Sequence, residues 1–193
     1  MWSPTWPDWP SGTWPDGRDE LMAVWLVVVG LPGVGKSSVG AAVAARLDVP
    51  FADSDDLVQE MTGRPVGDII ASDGEASFRE LEATAILDTL LDFDGVLALG
   101  GGAVTTASVR EELANVAVPV VLLTATPTEL VDRIGNTQHR PLLAGDTASR
   151  LEELAERRDP FYREVATLTV DTSQLGVEAV AEEVVRRLRQ VQE

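Results

Sequence analysis

The chain has 193 residues, of which 45% are apolar and 24% are charged, values typical of one globular domain with a buried core. With 32 acidic and 15 basic residues its formal net charge is −17, which argues against nucleic acid or an anionic membrane as a partner, because both attract basic surfaces. The absence of cysteine excludes disulfides, thiolate metal sites and cysteine nucleophiles, and the single histidine, His139, argues against a histidine-ligated metal site or a Ser-His-Asp triad.

The apolar runs and the first residues of the sequence bear on membrane insertion and export. The longest strongly apolar run, residues 21–31, is too short to span a bilayer. The chain does not begin with a cationic segment, so we expect no secretory signal and a cytoplasmic location.

The first predicted element is a tail at residues 1–21, which contains four of the five tryptophans and four of the eleven prolines. It shows neither a helical nor a strand period, and we predict that it is disordered or extended. The main interpretation is an appendage without a catalytic role, with Met22 as a second candidate start; the alternative is a Trp/Pro segment that docks to a partner.

From residue 22 to 193 the pattern predicts one domain in which strands alternate with helices. The continuous apolar run at 25–29 indicates a strand buried on both faces. Further strands are predicted at 49–52, 96–99, 118–123 and 168–170. Helices are predicted at 37–47, 55–61, 66–71, 75–91, 107–115, 127–134, 149–157 and 177–191. This alternation predicts an α/β fold with a parallel sheet covered on both faces.

A phosphate-binding motif follows the first predicted strand. Residues 30–37, GLPGVGKS, fit the pattern G-x-x-x-x-G-K-[ST]. Its glycines let backbone N–H groups turn towards phosphate oxygens, and the helix that follows adds its positive end. Lys36 is the only lysine in a chain with fourteen arginines, and Ser37 is a candidate Mg²⁺ ligand. The motif therefore predicts a bound nucleotide but does not specify a reaction.

Two carboxylates, Asp53 and Asp55, follow the second predicted strand. In an extended segment residues i and i+2 point to the same side, so both can face one cleft. One is then suited to organise Mg²⁺ and the other to accept a proton from a substrate hydroxyl. The alternative is that Ser54 or Asp55 only caps the following helix.

Two further patterns suggest an acceptor site. Arg79 and Glu82 lie three residues apart on a predicted helix, so they can form an ion pair on the surface. Alternatively, Glu82 orients the Arg79 guanidinium towards a carboxylate of the ligand. Residues 100–102 are three glycines after the third apolar strand, and they allow either a close approach of backbone to substrate or only a loose turn.

Several arginines flank the polar, irregular segment at 135–148, which we predict to be a mobile lid that closes over phosphates. They are Arg133, Arg140, Arg157 and Arg158. The alternative for each is a solvated helix charge, and His139 is interpreted as a bystander.

Taken together, these motifs resemble the shikimate kinases, within the nucleoside-monophosphate-kinase-like family of P-loop kinases. The segments GLPGVGKSS, DSD, FRELE, GGGAV, RPLLAG and RRDPFYREVA occur in that family's order and at comparable spacings, over residues 24–190. The resemblance implies a three-layer α/β/α fold whose five-stranded parallel sheet has the order 2-3-1-4-5. It also implies transfer of the γ-phosphoryl group of ATP to the 3-hydroxyl of shikimate, in aromatic amino-acid biosynthesis, and we expect a monomer.

The resemblance assigns expected roles to individual residues. Asp53 lies near the metal, and Asp55 binds the acceptor hydroxyl and acts as its base. Arg79 and Arg158 hold the shikimate carboxylate, while the backbone of Gly101 and Gly102 contacts the substrate. The expected contacts to ATP are Gly33, Val34, Gly35, Lys36, Ser37, Ser38, Arg133 and the lid residue Arg140, with Ser37 also on Mg²⁺.

The chain departs from the family pattern in two places. The tail at 1–21 has no counterpart, and Ser173-Gln174-Leu175 stands where many relatives have a basic residue near the adenine, so we expect backbone groups to contact the base. The alternative functions are another small-molecule kinase of this fold, such as a gluconate kinase, and a nucleotide-binding module without catalysis.

Overall fold

The computed structural model describes residues 24–116, 118–135 and 147–191. Its strands are β1 (Val24–Gly30), β2 (Phe51–Asp53), β3 (Gly95–Ala98), β4 (Val120–Thr124) and β5 (Leu168–Asp171). Its helices are α1 (Lys36–Leu47), α2 (Ser54–Thr62), α3 (Val66–Asp92), α4 (Ala107–Asn115), α5 (Pro127–Gly135), α6 (Thr147–Val165) and α7 (Val177–Val191). The predicted tail at 1–21, most of the predicted lid and Arg140 lie outside the described residues.

The five strands form one parallel sheet in the order β2-β3-β1-β4-β5, which confirms the predicted fold class. β1 lies at the centre and pairs with β3 on one side and β4 on the other. Because all strands run in the same direction, the segments that follow β1, β2 and β3 meet at one edge of the sheet, where open α/β sheets bind ligands.

The apolar character of β1 follows from its position between two layers of helices. Leu26 and Val28 face a core that includes side chains of α1, α5 and α7. Val27 and Val29 face a second core, shared with α3, α4 and Tyr162 of α6. A strand covered on both faces needs apolar residues at every position, as the run at 25–29 predicted.

The long helix α3 is bent at Gly74, where φ is 89° and ψ is 163°. The bend lies between the two helices predicted at 66–71 and 75–91. The part after the bend carries Arg79 and Glu82 towards the carboxyl edge of the sheet.

The predicted end of α6 was wrong. The helix was expected to end at residue 157, but it continues through Pro160 to Val165. A proline inside a helix costs about 3 kcal/mol, because it removes one hydrogen bond and crowds the preceding turn. Leu151 and Tyr162 are both buried, and this packing on either side of Pro160 offsets that cost.

None of the helices within the described ranges is both long enough and apolar enough to cross a bilayer.

Candidate active site

The loop between β1 and α1 has the backbone shape that the phosphate-binding motif predicts. Gly33 and Gly35 have φ values of 85° and 97°, in the left-handed region that favours glycine. A Cβ at Gly33 would also lie 2.6 Å from the Cγ1 atom of Ile134, so a larger residue there meets both strain and a clash.

The N-terminus of α1 suits an anion. Gly35 occupies the N-cap position without a side-chain cap, and the first turn holds no acidic residue within the described chain. The first backbone N–H groups of the helix therefore present partial positive charge to the loop. Lys36 adds a full charge: its side chain is only 8% exposed, and its Nζ atom donates to the carbonyl of Leu31 at 3.2 Å.

Arg133 joins the nucleotide loop, residues 30–37 with the phosphate-binding motif, to the segment that follows β5. Its guanidinium donates to the carbonyl of Val34 at 3.4 Å, and to the hydroxyl and carbonyl of Thr172, both at 2.9 Å. The structure thus places Arg133 beside the loop, where it links two segments that are far apart in the sequence.

Glu129, one turn before Arg133 on α5, also binds the segment that follows β5. Its carboxylate accepts hydrogen bonds from the backbone N–H of Gln174 at 2.7 Å and from the hydroxyl of Thr126 at 2.8 Å. Hydrogen bonds from Ser173, Thr126 and Gln174 lower the pKa of Glu129 to about 2. The residues that replace the expected basic side chain are therefore held by a carboxylate.

We expect Glu129→Gln to lower the melting temperature at pH 7 by a few degrees, because the amide accepts these hydrogen bonds less well than the carboxylate. A pKa lowered from 4.5 to about 2 contributes stability that is present above about pH 4.5 and lost as the pH falls through about 2. The difference from the parent should therefore narrow as thermal unfolding is followed from pH 7 down to pH 3. Glu153→Gln, at an exposed position on α6, is the control, and a pH-independent difference for Glu129→Gln would contradict the assignment.

Asp53 makes two contacts at the end of β2. One carboxylate oxygen accepts the Ser37 hydroxyl at 2.6 Å, which joins it to the nucleotide loop. The other accepts the backbone N–H of Asp55 at 3.0 Å and caps α2. The capping residue is therefore Asp53, and not Ser54 or Asp55 as the alternative proposed.

The expectation that Asp53 and Asp55 share one extended segment was wrong. α2 begins at Ser54, so Asp55 lies in the first helical turn. Asp55 nevertheless faces the loop after β3, since a Cβ atom built at Gly100 would lie 3.0 Å from the Oδ1 atom of Asp55.

Ser38, an expected contact to ATP, is exposed in the first turn of α1.

Arg79 and Glu82 form a buried ion pair rather than a surface pair. The Glu82 side chain is 1% exposed and that of Arg79 is 16% exposed. Burial raises the pKa of Glu82 above its ordinary value, against the opposing attraction of Arg79. Burial by itself would lower the pKa of Arg79, but the attraction and hydrogen bonds of Glu82 raise it, so the guanidinium stays charged.

Ser54 connects this pair to the glycine triplet, residues 100–102. Its fully buried hydroxyl accepts the backbone N–H of Gly100 at 2.7 Å and lies 3.4 Å from a carboxylate oxygen of Glu82. From the sequence, Ser54 was expected at most to cap α2, because nothing in its local pattern indicates a partner that is 46 residues away.

The glycine triplet is a close-contact segment rather than a loose turn. A side chain at Gly100 would collide with the carboxylate of Glu82, and one at Gly102 with the guanidinium of Arg79. A Cβ at Gly101 would lie 3.1 Å from Pro32 of the nucleotide loop. The triplet thus touches both the predicted ATP site and the predicted acceptor site.

Arg158 reaches the same triplet from α6. It is 8% exposed and donates to the carbonyl of Gly101 at 2.9 Å, so it is not a solvated helix charge, whereas Arg157 is exposed. Tyr162, one turn later on the same helix face, donates to the same carbonyl at 2.5 Å. Sequence reasoning missed Tyr162 because α6 was expected to end before it; its i,i+4 spacing from Arg158 was the available signal.

Comparisons with known proteins identify the family of this chain. The sequence model of the shikimate kinase family matches residues 32–189. A shikimate kinase of Mycobacterium avium (strain 104) is 46% identical over 168 residues, which cover 86% of this chain and 94% of the relative.

Solved structures give the same result. A shikimate kinase from Acinetobacter baumannii in complex with shikimate is similar with a TM-score of 0.84 and 32% identity, over 90% of this chain and 96% of that one. A gluconokinase from Sinorhizobium meliloti 1021 is similar with a TM-score of 0.64 and 26% identity, over 91% of this chain and 95% of that one. From its sequence match, its fold and these relatives, the chain belongs to the shikimate kinase family of ATP-dependent kinases.

Proposed function

We propose that the chain transfers the γ-phosphoryl group of ATP to the 3-hydroxyl group of shikimate. The observation that carries this proposal is the position of the glycine triplet. Gly101 packs on Pro32 of the nucleotide loop, while Gly102 packs on the Arg79 guanidinium and Gly100 lies near Asp55. An acid held by Arg79 therefore lies next to a nucleotide held by the loop, as direct phosphoryl transfer requires.

The nucleotide's phosphates are held by the loop and the start of α1. Backbone N–H groups of residues 33–38 surround the phosphate oxygens, and Lys36 supplies a compact positive charge to the outer phosphates. Arg133 supports the loop by donating a hydrogen bond to the carbonyl of Val34. Arg140 is proposed as a further phosphate contact on the strength of the family resemblance.

Mg²⁺ fits the donor set at the end of β2. The Ser37 hydroxyl and the Asp53 carboxylate lie 2.6 Å apart, and both are hard oxygen donors of the kind that Mg²⁺ prefers. Within the described residues no group of three or more acidic or histidine side chains is suited to hold a metal. A site with so few protein ligands matches a cation carried largely by ATP phosphates, where it neutralises phosphate charge.

The acceptor is held and activated by side chains around the triplet. Arg79 and Arg158 hold the shikimate carboxylate, and Asp55 accepts the proton of the 3-hydroxyl. The hydroxyl oxygen forms a bond to the γ-phosphorus while the bond from that phosphorus to the bridging oxygen breaks, and ADP leaves with the electron pair. One chain supplies all of these groups, which supports action as a monomer; the cytoplasmic location stays a prediction.

A panel of acceptors tests the function. ADP release from ATP is measured with shikimate, with gluconate and with no acceptor. Gluconate is included because the gluconokinase structure shares this fold. We expect release with shikimate well above both others. Equal or better turnover of gluconate would favour a gluconate kinase activity. If shikimate does not increase ADP release, a nucleotide-binding module without catalysis would be favoured.

Arg79→Lys is expected to raise KM for shikimate about tenfold to a hundredfold. Lysine keeps the charge opposite Glu82 but loses the planar fork that binds a carboxylate through two hydrogen bonds. Arg79→Ala is less informative, since it leaves the buried Glu82 without its partner and destabilises the fold.

The control for Arg79→Lys is Arg64→Lys, at an exposed ion pair with Asp73. That variant should leave KM for shikimate unchanged. An unchanged KM in Arg79→Lys itself would mean that Arg79 does not hold the substrate.

A further inference from the structure

Tyr162 is the only tyrosine in the chain, and its hydroxyl is placed at the glycine triplet. The residue is 3% exposed. Its hydroxyl donates to the carbonyl of Gly101 at 2.5 Å, and Arg158 donates to the same oxygen at 2.9 Å. A carbonyl that accepts two hydrogen bonds from one helix face has a fixed orientation.

The orientation of that carbonyl determines where the next N–H group points. In a planar trans peptide the C=O of Gly101 and the N–H of Gly102 point in opposite directions. With the oxygen held by α6, the N–H of Gly102 is directed away from α6. Within the described residues no hydrogen bond uses the N–H of Gly101 or of Gly102, although Gly102 is buried. Buried N–H groups ordinarily have partners, so this donor is available for a ligand oxygen.

We propose that Tyr162 is a positioning residue for the acceptor: its hydroxyl holds the peptide between Gly101 and Gly102 so that the Gly102 N–H meets an oxygen of the bound substrate. This inference rests on the proposed function and goes beyond it, because Tyr162 itself touches no reacting atom.

The shared carbonyl explains why a tyrosine is needed in addition to Arg158. Arg158 is the proposed partner of the substrate carboxylate, and a guanidinium that turns towards the substrate weakens its bond to Gly101. The Tyr162 hydroxyl then keeps the carbonyl in place. Burial raises the pKa of Tyr162 to about 12, against the attraction of Arg158, so the hydroxyl keeps its proton and remains a donor.

The test is Tyr162→Phe, which keeps the buried ring and removes the hydroxyl. The loss of one hydrogen bond is expected to raise KM for shikimate about threefold to tenfold, with KM for ATP within about twofold of the parent. The control is Thr89→Val, which removes a hydroxyl that donates to the carbonyl of Ala85 at 2.7 Å, further along α3. Thr89→Val should leave both KM values unchanged.

The outcomes separate this inference from the proposed function. If the parent phosphorylates shikimate and Tyr162→Phe has an unchanged KM for shikimate, the inference is wrong and the function stands. An equal rise in both KM values would also overturn it, since a general packing defect affects both substrates. If the parent does not turn over shikimate, the proposed function fails first.

A second measurement needs no substitution at this position. Because the chain has one tyrosine, incorporation of 3-fluorotyrosine gives one protein fluorine resonance, from residue 162. Titration with shikimate should shift that resonance, with a saturation curve that agrees with calorimetric binding. A resonance that stays in place while calorimetry detects binding would overturn the inference.

Discussion

Lys36→Met is expected to lower kcat at least about a hundredfold, equivalent to about 2.7 kcal/mol of transition-state stabilisation. Methionine has a similar length and fits the 8% exposed position, but it cannot neutralise the charge that develops on the transferred phosphoryl group. The N–H groups at the start of α1 remain, so ATP binding should weaken less than turnover. Steady-state kinetics and calorimetry with ATP separate the two effects.

The composition of the chain offers an independent check on Lys36. It is the only lysine, so an amine-reactive reagent has two targets, Lys36 and the terminal α-amino group. ATP should protect Lys36 and leave the terminus reactive, as peptide mass spectrometry would detect. If Lys36 is labelled without ATP and saturating ATP does not reduce that labelling, its place in the nucleotide site is contradicted.

Asp55→Asn is expected to lower kcat between about a hundredfold and ten-thousandfold, the range associated with loss of a general base. An amide cannot accept the proton of the acceptor hydroxyl, whereas the nucleotide loop is unaffected. The affinity for ATP, measured by calorimetry, should stay within about twofold of the parent.

The matched control is Asp56→Asn, the same substitution one residue later. Asp56 is exposed and accepts a hydrogen bond from Gln59 on its own helix. It should retain nearly all activity. Similar losses in both variants would indicate damage to α2 rather than the loss of a base.

The expected location of the nucleotide site rests on a contiguous motif. Gly33, Gly35, Lys36 and Ser37 lie within five residues, and their spacing specifies the loop's backbone by itself. The same holds for β1, whose apolar run indicates a strand buried on both faces. These features could be predicted because each depends on neighbours in the sequence.

The acceptor side depends on contacts between distant segments. The sequence left open whether Arg79 and Glu82 form a surface pair, and only the burial of Glu82 beneath the triplet decides against it. The extended geometry expected for Asp55 was wrong, since the carboxylate of Asp53 caps α2 and the helix starts at Ser54; the role of Asp55 stays a prediction.

The end of α6 shows the same limit. Pro160 disfavours a helix locally, and the packing of Tyr162 into the core outweighs that preference. Because α6 was expected to end before Tyr162, the sequence did not indicate that Tyr162 and Arg158 both donate to the carbonyl of Gly101.

The amino-acid sequence by itself determined the α/β class, a first strand buried on both faces and the backbone of the loop between β1 and α1, because apolar periodicity, glycine at positive φ and the start of a helix act over a few residues. Only the tertiary structure decided that Glu82 and Arg158 are buried and that two donors share the carbonyl of Gly101. The hydrogen bonds of Ser54, Arg158 and Tyr162 to the glycine triplet join residues that are 46 to 61 positions apart. Burial and hydrogen-bond partners at such separations follow from how helices pack on the sheet, which no local pattern records.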